Sequence, residues 1–268
     1  MPAEDDAFPV VGIGASAGGL DAFKKLFSAM PVDSGMAFVL IPHLDPTHES
    51  LMAELLSKQT AMPVSEAQEG VRVEPNHVYV IPPNADLTIE HRLLHVAPPP
   101  PRRGSQTAID VFLRSLATDQ QDDAIGIILS GTGSHGALGI RDIKAAGGMV
   151  IAQAPESAEH DQMPRSAIAT GVVDRVLSPE QMPEALVRHR AEVSAPVTDV
   201  SPEDVSQILI LLRAQTKRDF RGYRRTMLVR RVKHRMGVCH VDRLAGYIEY
   251  LRAHADEVQA LGKDLSIG

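Results

Sequence analysis

Short apolar runs alternate with helical patterns over the first 190 residues of the chain. Runs rich in Val and Ile, typical of strands buried on both faces of a parallel sheet, occur at Phe8–Ile13, Ala37–Ile41 and Ala124–Leu129. Apolar residues recur with a helical period at Leu20–Met30, Glu49–Gln59 and Ala108–Thr118. This alternation predicts a doubly wound α/β fold with a mostly parallel sheet.

A different pattern interrupts the middle of this region. His77–Ile81 and Leu87–Val96 have the character of strands, and Pro82–Asp86 between them is rich in turn residues. We therefore expect an antiparallel hairpin added to the parallel sheet. The later elements predicted are strands at Gly147–Ala152 and Gly171–Val176 and a closing helix at Met182–Arg190.

The chain changes character after residue 190. Residues 191–202 are polar and lack a helical period, which predicts a linker. Ser201 has the position of a helix N-cap, with Pro202 in the first turn and Asp204 three residues later. The pattern beyond predicts only helices, at about 203–214, 224–236, 241–253 and 255–264. We therefore predict an α/β domain at 7–190 and a small all-α domain at 203–268.

Composition and charge narrow the class of protein. No apolar run reaches the roughly 18 residues of a membrane span, the acidic N-terminus is not a signal peptide, and the single Cys239 excludes an intrachain disulfide. These features predict a cytoplasmic protein without membrane insertion. The net charge of −7 is uneven: residues 1–212 hold 14 Lys and Arg against 28 Asp and Glu, whereas residues 213–268 hold 13 against 6.

The basic residues of the tail concentrate between Arg213 and Arg243. Three interpretations are open: an ordinary solvated helix face, a surface that docks an acidic protein partner, or a nucleic-acid surface. Few aromatic residues are interleaved and no recognition motif is present, which argues against nucleic acid.

The first apolar run ends in a glycine-rich turn that contains one serine, Ser16. Gly14 to Gly18 fits the G-x-S-x-G pattern of a nucleophile elbow, which exposes a hydroxyl beside main-chain amides and a helix N-terminus. The overlapping residues Gly12 to Ala17 also fit the dinucleotide-binding pattern G-x-G-x-x-A. That pattern requires an acidic residue at the end of the second strand, where this chain has His43. The motif by itself leaves both interpretations open.

Two further strands end in residues that can do chemistry. The second ends at His43, and the third leads into residues 131–136, with the sequence GTGSHG. Because the carboxyl ends of parallel strands lie along one edge of a sheet, we expect Ser16, His43 and this loop to converge. A Ser16 nucleophile with His43 as its base follows the logic of a catalytic triad. The spacing of the histidines does not indicate a metal site.

These motifs resemble the catalytic domain of CheB, the chemotaxis protein-glutamate methylesterase, over residues 7–190. The resemblance is carried by GIGASAGG at 12–19, IPHL at 41–44, LSGTGSHGA at 129–137 and MPRSA at 163–167. Residues 220–236 and 247–251 resemble the N-terminal helical domain of CheR, the receptor methyltransferase. The whole is similar to the front of a CheB–CheR fusion protein. Since such proteins carry further receiver or S-adenosylmethionine-binding domains, we expect a fragment that cannot methylate by itself.

The resemblance implies hydrolysis of glutamate γ-methyl esters, with deamidation of glutamine as a second activity, on a chemoreceptor or a related signalling protein. No cofactor is implied. Ser16 would attack the ester, and His43 would move the proton to the leaving methanol. Main-chain donors at Ala17, Thr132 and Gly133 would bind the oxyanion.

His135 departs from the family pattern, which has an Asp at this position in G-x-G-x-D-G. The triad carboxylate orients the base and stabilises its imidazolium, and a serine protease loses about 10⁴ in kcat when that Asp becomes Asn. A neutral His135 can accept a hydrogen bond from His43 but supplies no negative charge. We therefore expect a slow esterase. The alternatives are Asp161 as a substitute carboxylate, an inactive signalling scaffold, or a nucleotide-binding module.

Overall fold

The computed structural model describes residues 8–42, 51–99, 107–194, 200–218, 220, 225–239 and 241–266. The chain divides into two compact units, residues 1–189 and 190–268. The strands are β1 Val10–Ala15, β2 Ala37–Pro42, β3 Val64–Glu66, β4 His77–Val80, β5 Asp86–Glu90, β6 Leu93–Ala97, β7 Ala124–Ile128, β8 Met149–Gln153 and β9 Arg175–Leu177. The helices up to residue 194 are α1 Gly19–Ala29, α2 Met52–Ser57, α3 Ala108–Gln120, α4 Gly139–Ala145, α5 Gln162–Ala169 and α6 Met182–Ser194.

Seven of the strands form a parallel sheet in the order β3-β4-β2-β1-β7-β8-β9. The order grows outward from β1 in both directions, which confirms the predicted doubly wound architecture. The reversal of strand order lies between β1 and β7. Open α/β sheets bind their ligands at the carboxyl ends of the strands beside such a reversal.

Both faces of the sheet are covered. On one face, α3, α4, α5 and the β5–β6 pair bury a core that includes Phe112 and Ile143. On the other face, α1, α2 and α6 bury a second core that includes Phe23 and Leu186. All residues of β1 are buried, which explains why this strand has a continuous apolar sequence rather than an alternating one.

The hairpin differs from the prediction. His77–Val80 pairs in parallel with β2 and β3, whereas the antiparallel pair is β5 with β6, both of which lie largely within the single strand predicted at Leu87–Val96. The turn residues His91 and Arg92 both have positive φ, 51° and 62°. Their N–H groups donate to the carboxylate of Asp119 on α3. Because the turn lacks the usual Asn or Gly, its tertiary partner rather than its own sequence stabilises it.

The other strands and helices of this unit differ less from the sequence predictions. The strand β3 was not predicted, since it has three residues and none is buried. The two late strands are confirmed as β8 and β9, with shifted bounds. The helix predicted at Glu49–Gln59 is present as α2, and residues 43–50 and 100–106 lie outside the described residues.

The two glycines of β1 allow α3 to pack directly on the strand backbone. A Cβ atom added to Gly14 would lie 2.5 Å from Cγ2 of Ile109, and one added to Gly12 would lie 2.9 Å from Cδ2 of Leu113. Real Cβ atoms do not approach other heavy atoms this closely. The close contact between β1 and α3 therefore requires glycine at both positions.

We expect Gly14→Ala to destabilise the protein by about 1–3 kcal/mol, because the new methyl group overpacks the contact with α3. Gly126→Ala in β7 is a matched control, since its Cβ would lie 3.3 Å from Cγ1 of Ile143. Gly126→Ala should lower the free energy of unfolding by less than about 1 kcal/mol. Urea unfolding followed by circular dichroism measures both, and equal losses would show that α3 can move away from β1.

The second unit is helical. Its further helices are α7 Pro202–Thr216, α8 Arg225–Val238, α9 Leu244–Ala253 and α10 Ala255–Ser266, all within three residues of the predicted bounds. Ser201 caps α7 as predicted, and the structure shows reciprocal hydrogen bonds between Ser201 and Asp204. The helix α6 continues to Ser194, so the linker predicted from residue 191 starts too early. Of the helices described, none combines the length and the apolar character needed to cross a membrane.

A buried ion pair joins three helices of this unit. Glu257 on α10 is 6% exposed and accepts two hydrogen bonds from Arg235 on α8. Its Oε1 also accepts the hydroxyl of Tyr247 on α9, at 2.7 Å. Burial by itself would raise the pKa of Glu257, but the bonds from Arg235 and Tyr247 outweigh it and lower that pKa.

We expect Glu257→Gln to destabilise the helical unit by about 2–4 kcal/mol at pH 7, because Arg235 loses its buried partner. Glu249→Gln is the control, because the Glu249 side chain is 71% exposed and pairs with Arg252. This variant should lower the free energy of unfolding by less than about 0.5 kcal/mol. Tyrosine circular dichroism reports on this unit, which holds three of the four tyrosines.

The same pair of proteins has an expected pH dependence. Since the pKa of Glu257 is lower in the folded state than its ordinary 4.5, its stabilisation is present above pH 4.5 and is lost as the pH falls through the folded value. The stability difference between the parent chain and Glu257→Gln should therefore shrink below pH 4.5. A difference that does not change with pH would contradict this assignment.

Candidate active site

Ser16 stands where β1 meets α1, at the centre of the sheet. Its N–H donates to the Ser130 carbonyl at 2.9 Å, and its own carbonyl accepts the N–H of Gly19 at 2.9 Å. Gly18, the N-cap of α1, has φ 73°, a left-handed conformation that glycine adopts readily. The main chain thus turns sharply from strand to helix at Ser16, as a nucleophile elbow requires.

The glycine positions favour the elbow over the dinucleotide-binding motif. In that motif the first glycine forms the tight turn after the strand. Here Gly12 and Gly14 lie inside β1, where they face α3, and the turn begins only at Ser16. Packing of α3 therefore accounts for both glycines.

The loop after β7 lies against Ser16. The pairing of β1 with β7 continues past the strand ends, through the bond from Leu129 N–H to the Gly14 carbonyl and the bond from Ser16 to Ser130. A Cβ atom added to Gly131 would lie 2.9 Å from Cβ of Ser16, so only glycine permits this approach. The structure thus brings together the ends of the first and third predicted strands.

Two main-chain amides near Ser16 have fixed directions. In a trans peptide the N–H points away from the carbonyl of the preceding residue. The Ser16 carbonyl is held by Gly19, and the Gly131 carbonyl by the N–H of Met163 at 3.0 Å. The N–H groups of the next residues, Ala17 and Thr132, are therefore fixed, and neither has a hydrogen-bond acceptor among the described residues. Preorganised amides of this kind are suited to bind an oxyanion.

The third predicted donor, Gly133, is already engaged. Its N–H donates to Oε1 of Gln162 at 2.9 Å. In this arrangement it supports the loop rather than offering an amide to a substrate.

The sequence did not point to the side chains that hold this turn. Ser130, 1% exposed, donates its hydroxyl to the Ala17 carbonyl at 2.9 Å and accepts the N–H of His160 at 3.0 Å. Gln153, at the end of β8, accepts the N–H of Ser130 at 2.8 Å. A serine and a glutamine at strand ends form no distinctive motif, and nothing in the sequence marks their contacts.

The far end of the loop is held by a buried carboxylate on α3. Asp110, 3% exposed, accepts the N–H groups of Leu138 at 3.1 Å and Gly139 at 3.0 Å through one oxygen. Its other oxygen accepts the hydroxyl of Thr107 at 2.7 Å. The half-buried His135 therefore lies on a loop whose two ends are anchored to different helices.

Asp161 and His43 are the other side chains predicted to take part in this chemistry. Asp161, considered as a substitute carboxylate, directly precedes α5. It accepts a hydrogen bond from Arg165 in the first turn of that helix, at 2.6 Å. His43 lies outside the described residues, so its pairing with Ser16 stays a prediction.

A cleft of about 360 Å³ lies beside Ser16. Its wall includes three charged side chains, Asp21, Lys24 and Glu159. Asp21 also pairs with Lys25 at 2.9 Å. Within the described part of the chain, no group of three or more His, Cys, Asp or Glu side chains could hold a metal ion.

Two families of known proteins match this chain. The model of the CheB methylesterase family matches residues 11–186. The chain belongs to the CheB methylesterase family. We call the matched segment the CheB domain. Residues 203–266 match the model of the CheR methyltransferase all-alpha domain. The crystal structure of the Thermotoga maritima CheB methylesterase catalytic domain superimposes with a TM-score of 0.63 at 27% identity, covering 68% of this chain and 98% of that one.

Relatives of this chain differ in length. A 104.1 kDa protein in the hypE 3′ region of Rhodobacter capsulatus is 33% identical over 243 residues, which cover 81% of this chain and 25% of that protein. The protein-glutamate methylesterase/protein-glutamine glutaminase of Paraburkholderia xenovorans is 34% identical over 187 residues, 68% of this chain and 51% of that protein. The chain thus spans about a quarter and about half of these two relatives.

We expect Ser130→Ala to destabilise the CheB domain by about 1–3 kcal/mol, because it leaves the Ala17 carbonyl and the His160 N–H without their partner. Ser57→Ala is the control, since the exposed Ser57 hydroxyl donates only to the Glu54 carbonyl in its own helix. Its effect should stay within about 0.5 kcal/mol. Denaturant midpoints measure both, and equal midpoints would show that the Ser130 hydroxyl does not stabilise the turn.

Proposed function

We propose that the CheB domain hydrolyses glutamate γ-methyl esters, and glutamine amides as a second substrate, on a cytoplasmic segment of a chemoreceptor or a related signalling protein. One observation carries the proposal. Ser16 stands at a sharp strand–helix turn beside the fixed N–H groups of Ala17 and Thr132. A nucleophile and oxyanion donors in this arrangement suit acyl transfer.

The reaction would proceed in two steps. The Ser16 hydroxyl attacks the ester carbonyl carbon while His43 takes its proton, and Ala17 and Thr132 stabilise the oxyanion. The intermediate collapses when His43 protonates the leaving methoxy group, which departs as methanol. Water then attacks the acyl-enzyme while His43 again acts as the base. The bond between Ser16 and the acyl group breaks, the glutamate carboxylate is released, and His43 returns a proton to the Ser16 oxygen.

His135 sets the expected rate. The imidazolium of His43 forms in each step, and a carboxylate at position 135 would stabilise it. A neutral imidazole gives no such stabilisation, and a protonated one would repel the positive charge. We therefore propose an esterase that is slow in the form of this chain.

The helical unit supports docking on an acidic protein. Arg213, Lys217 and Arg218, near the end of α7, are all exposed. Exposed cations of this kind steer association with acidic surfaces. They support a protein partner for the reaction proposed above.

A catalytically inactive signalling domain is the second candidate. It is favoured by one observation, the histidine at position 135 on an otherwise well-anchored loop. Such a protein would keep the fold and the cleft and would bind its partner without hydrolysis.

Methanol release from a methylated receptor fragment tests the proposal with four proteins. We expect His135→Asp to be about 10²–10⁴ times faster than the parent chain, because it restores the triad charge. Ser16→Ala should release no methanol above background. His254→Asp makes the same change on an exposed residue of the helical unit and should leave the rate unaltered.

The outcomes separate the two candidates. Equal rates for the parent chain and His135→Asp would show that the missing charge does not limit the esterase. Methanol release that survives in Ser16→Ala would remove Ser16 as the nucleophile. No release by any of the proteins would reject the esterase and leave the inactive signalling domain.

A further inference from the structure

We infer that Gln162 is a positioning residue for the N–H of Thr132, and that it acts by holding Gly133. This inference rests on the esterase function proposed above. The Gln162 Oε1 accepts the N–H of Gly133 at 2.9 Å, and the hydroxyl of Ser166 donates to the Gly133 carbonyl at 3.2 Å. Both main-chain groups of Gly133 are thus tied to α5.

Thr132 stands between two anchored glycines. On its other side, the N–H of Gly131 donates to the His160 carbonyl at 2.9 Å and its carbonyl accepts from Met163. Thr132 itself is exposed, and Gly133 has φ 79°, where the chain reverses. The direction of the Thr132 N–H therefore depends on the anchors of its two neighbours.

The two anchors differ in how they can be tested. At Gly131 the anchor consists of main-chain bonds and the packing of Met163, whose Sδ would lie only 2.1 Å from an added Cβ. A substitution there would disturb the core. Gln162 is exposed, so removing its side chain leaves the buried packing of the CheB domain intact.

The chemical consequence follows from preorganisation. An oxyanion donor stabilises the transition state because it is already directed at the developing charge and needs no reorganisation. A loop that shifts by about 1 Å loses much of this advantage. The ester carbonyl in the ground state carries less charge, so loosening the loop should lower kcat more than it changes KM.

The experiment compares Gln162→Ala, Gln162→Glu and Gln181→Ala, each in the full chain carrying His135→Asp. Gln162→Glu keeps an acceptor oxygen for Gly133. Gln181 Oε1 accepts the N–H of Ser178 at 3.2 Å on an exposed turn, so its alanine variant removes the same kind of bond elsewhere. Methanol release gives kcat and KM, and amide hydrogen exchange by NMR follows Gly133.

Gln162→Ala should lower kcat about 3- to 10-fold, the effect expected of one exposed hydrogen bond, with KM within about twofold. It should also speed the exchange of the Gly133 amide. Gln162→Glu should rescue kcat and slow exchange, and Gln181→Ala should change neither.

An unchanged kcat in Gln162→Ala would overturn the inference, whatever happens to the exchange of Gly133. The same loss of kcat in Gln162→Glu would also overturn it, because the acceptor oxygen would then not be the cause. A His135→Asp parent that releases no methanol with Gln162 intact would instead reject the proposed function, and the role of Gln162 in it.

Discussion

The site depends on main-chain pairing that continues beyond the ends of β1 and β7. The bond from Ser16 N–H to the Ser130 carbonyl extends the central pair of the sheet by one step into the loops. Since strand order reverses between these two strands, their ends open onto the sheet edge where α/β proteins bind ligands. Glycine at position 131 then lets the second loop approach Ser16 closely. Ser16 and the loop after β7, which are far apart in sequence, lie together because two neighbouring strands end together.

Residues 12–18 fit two overlapping glycine patterns, one for a nucleophile elbow and one for dinucleotide binding, and packing favours the elbow. Gly12 and Gly14 lie within β1 and allow α3 to pack closely on that strand. Gly18 is therefore the glycine of the turn itself. A dinucleotide motif uses its first glycines at the turn, where phosphate must approach the backbone. The sequence pattern alone cannot show which glycine faces a helix and which faces a ligand, because that depends on where the strand ends.

The sheet and its strand ends were predictable because buried parallel strands have continuous apolar sequences. Ser16 and the 131–136 loop followed from those ends. The β5–β6 turn was not predictable, since Asp119 on a later helix stabilises positive φ at His91 and Arg92. The anchors of the Ser16 turn and of the 131–138 loop were missed for the same reason. Ser130 binds the turn, and Asp110 and Gln162 bind the loop, through main-chain groups distant in sequence. Local sequence patterns predict which residues are buried and where the chain turns. They do not predict these contacts, because the residues involved come together only when the chain folds.

The loop that carries His135 is held in place mainly through its main-chain groups. Its described anchors hold main-chain groups, at Gly131 and Gly133 on one side and at Leu138 and Gly139 on the other. None of these bonds is made by the side chain at position 135. In the proposed reaction, a negative charge at position 135 would stabilise the imidazolium of His43. In the function proposed above, the side chain at position 135 therefore acts on the rate of the reaction, whereas the main-chain bonds hold the loop.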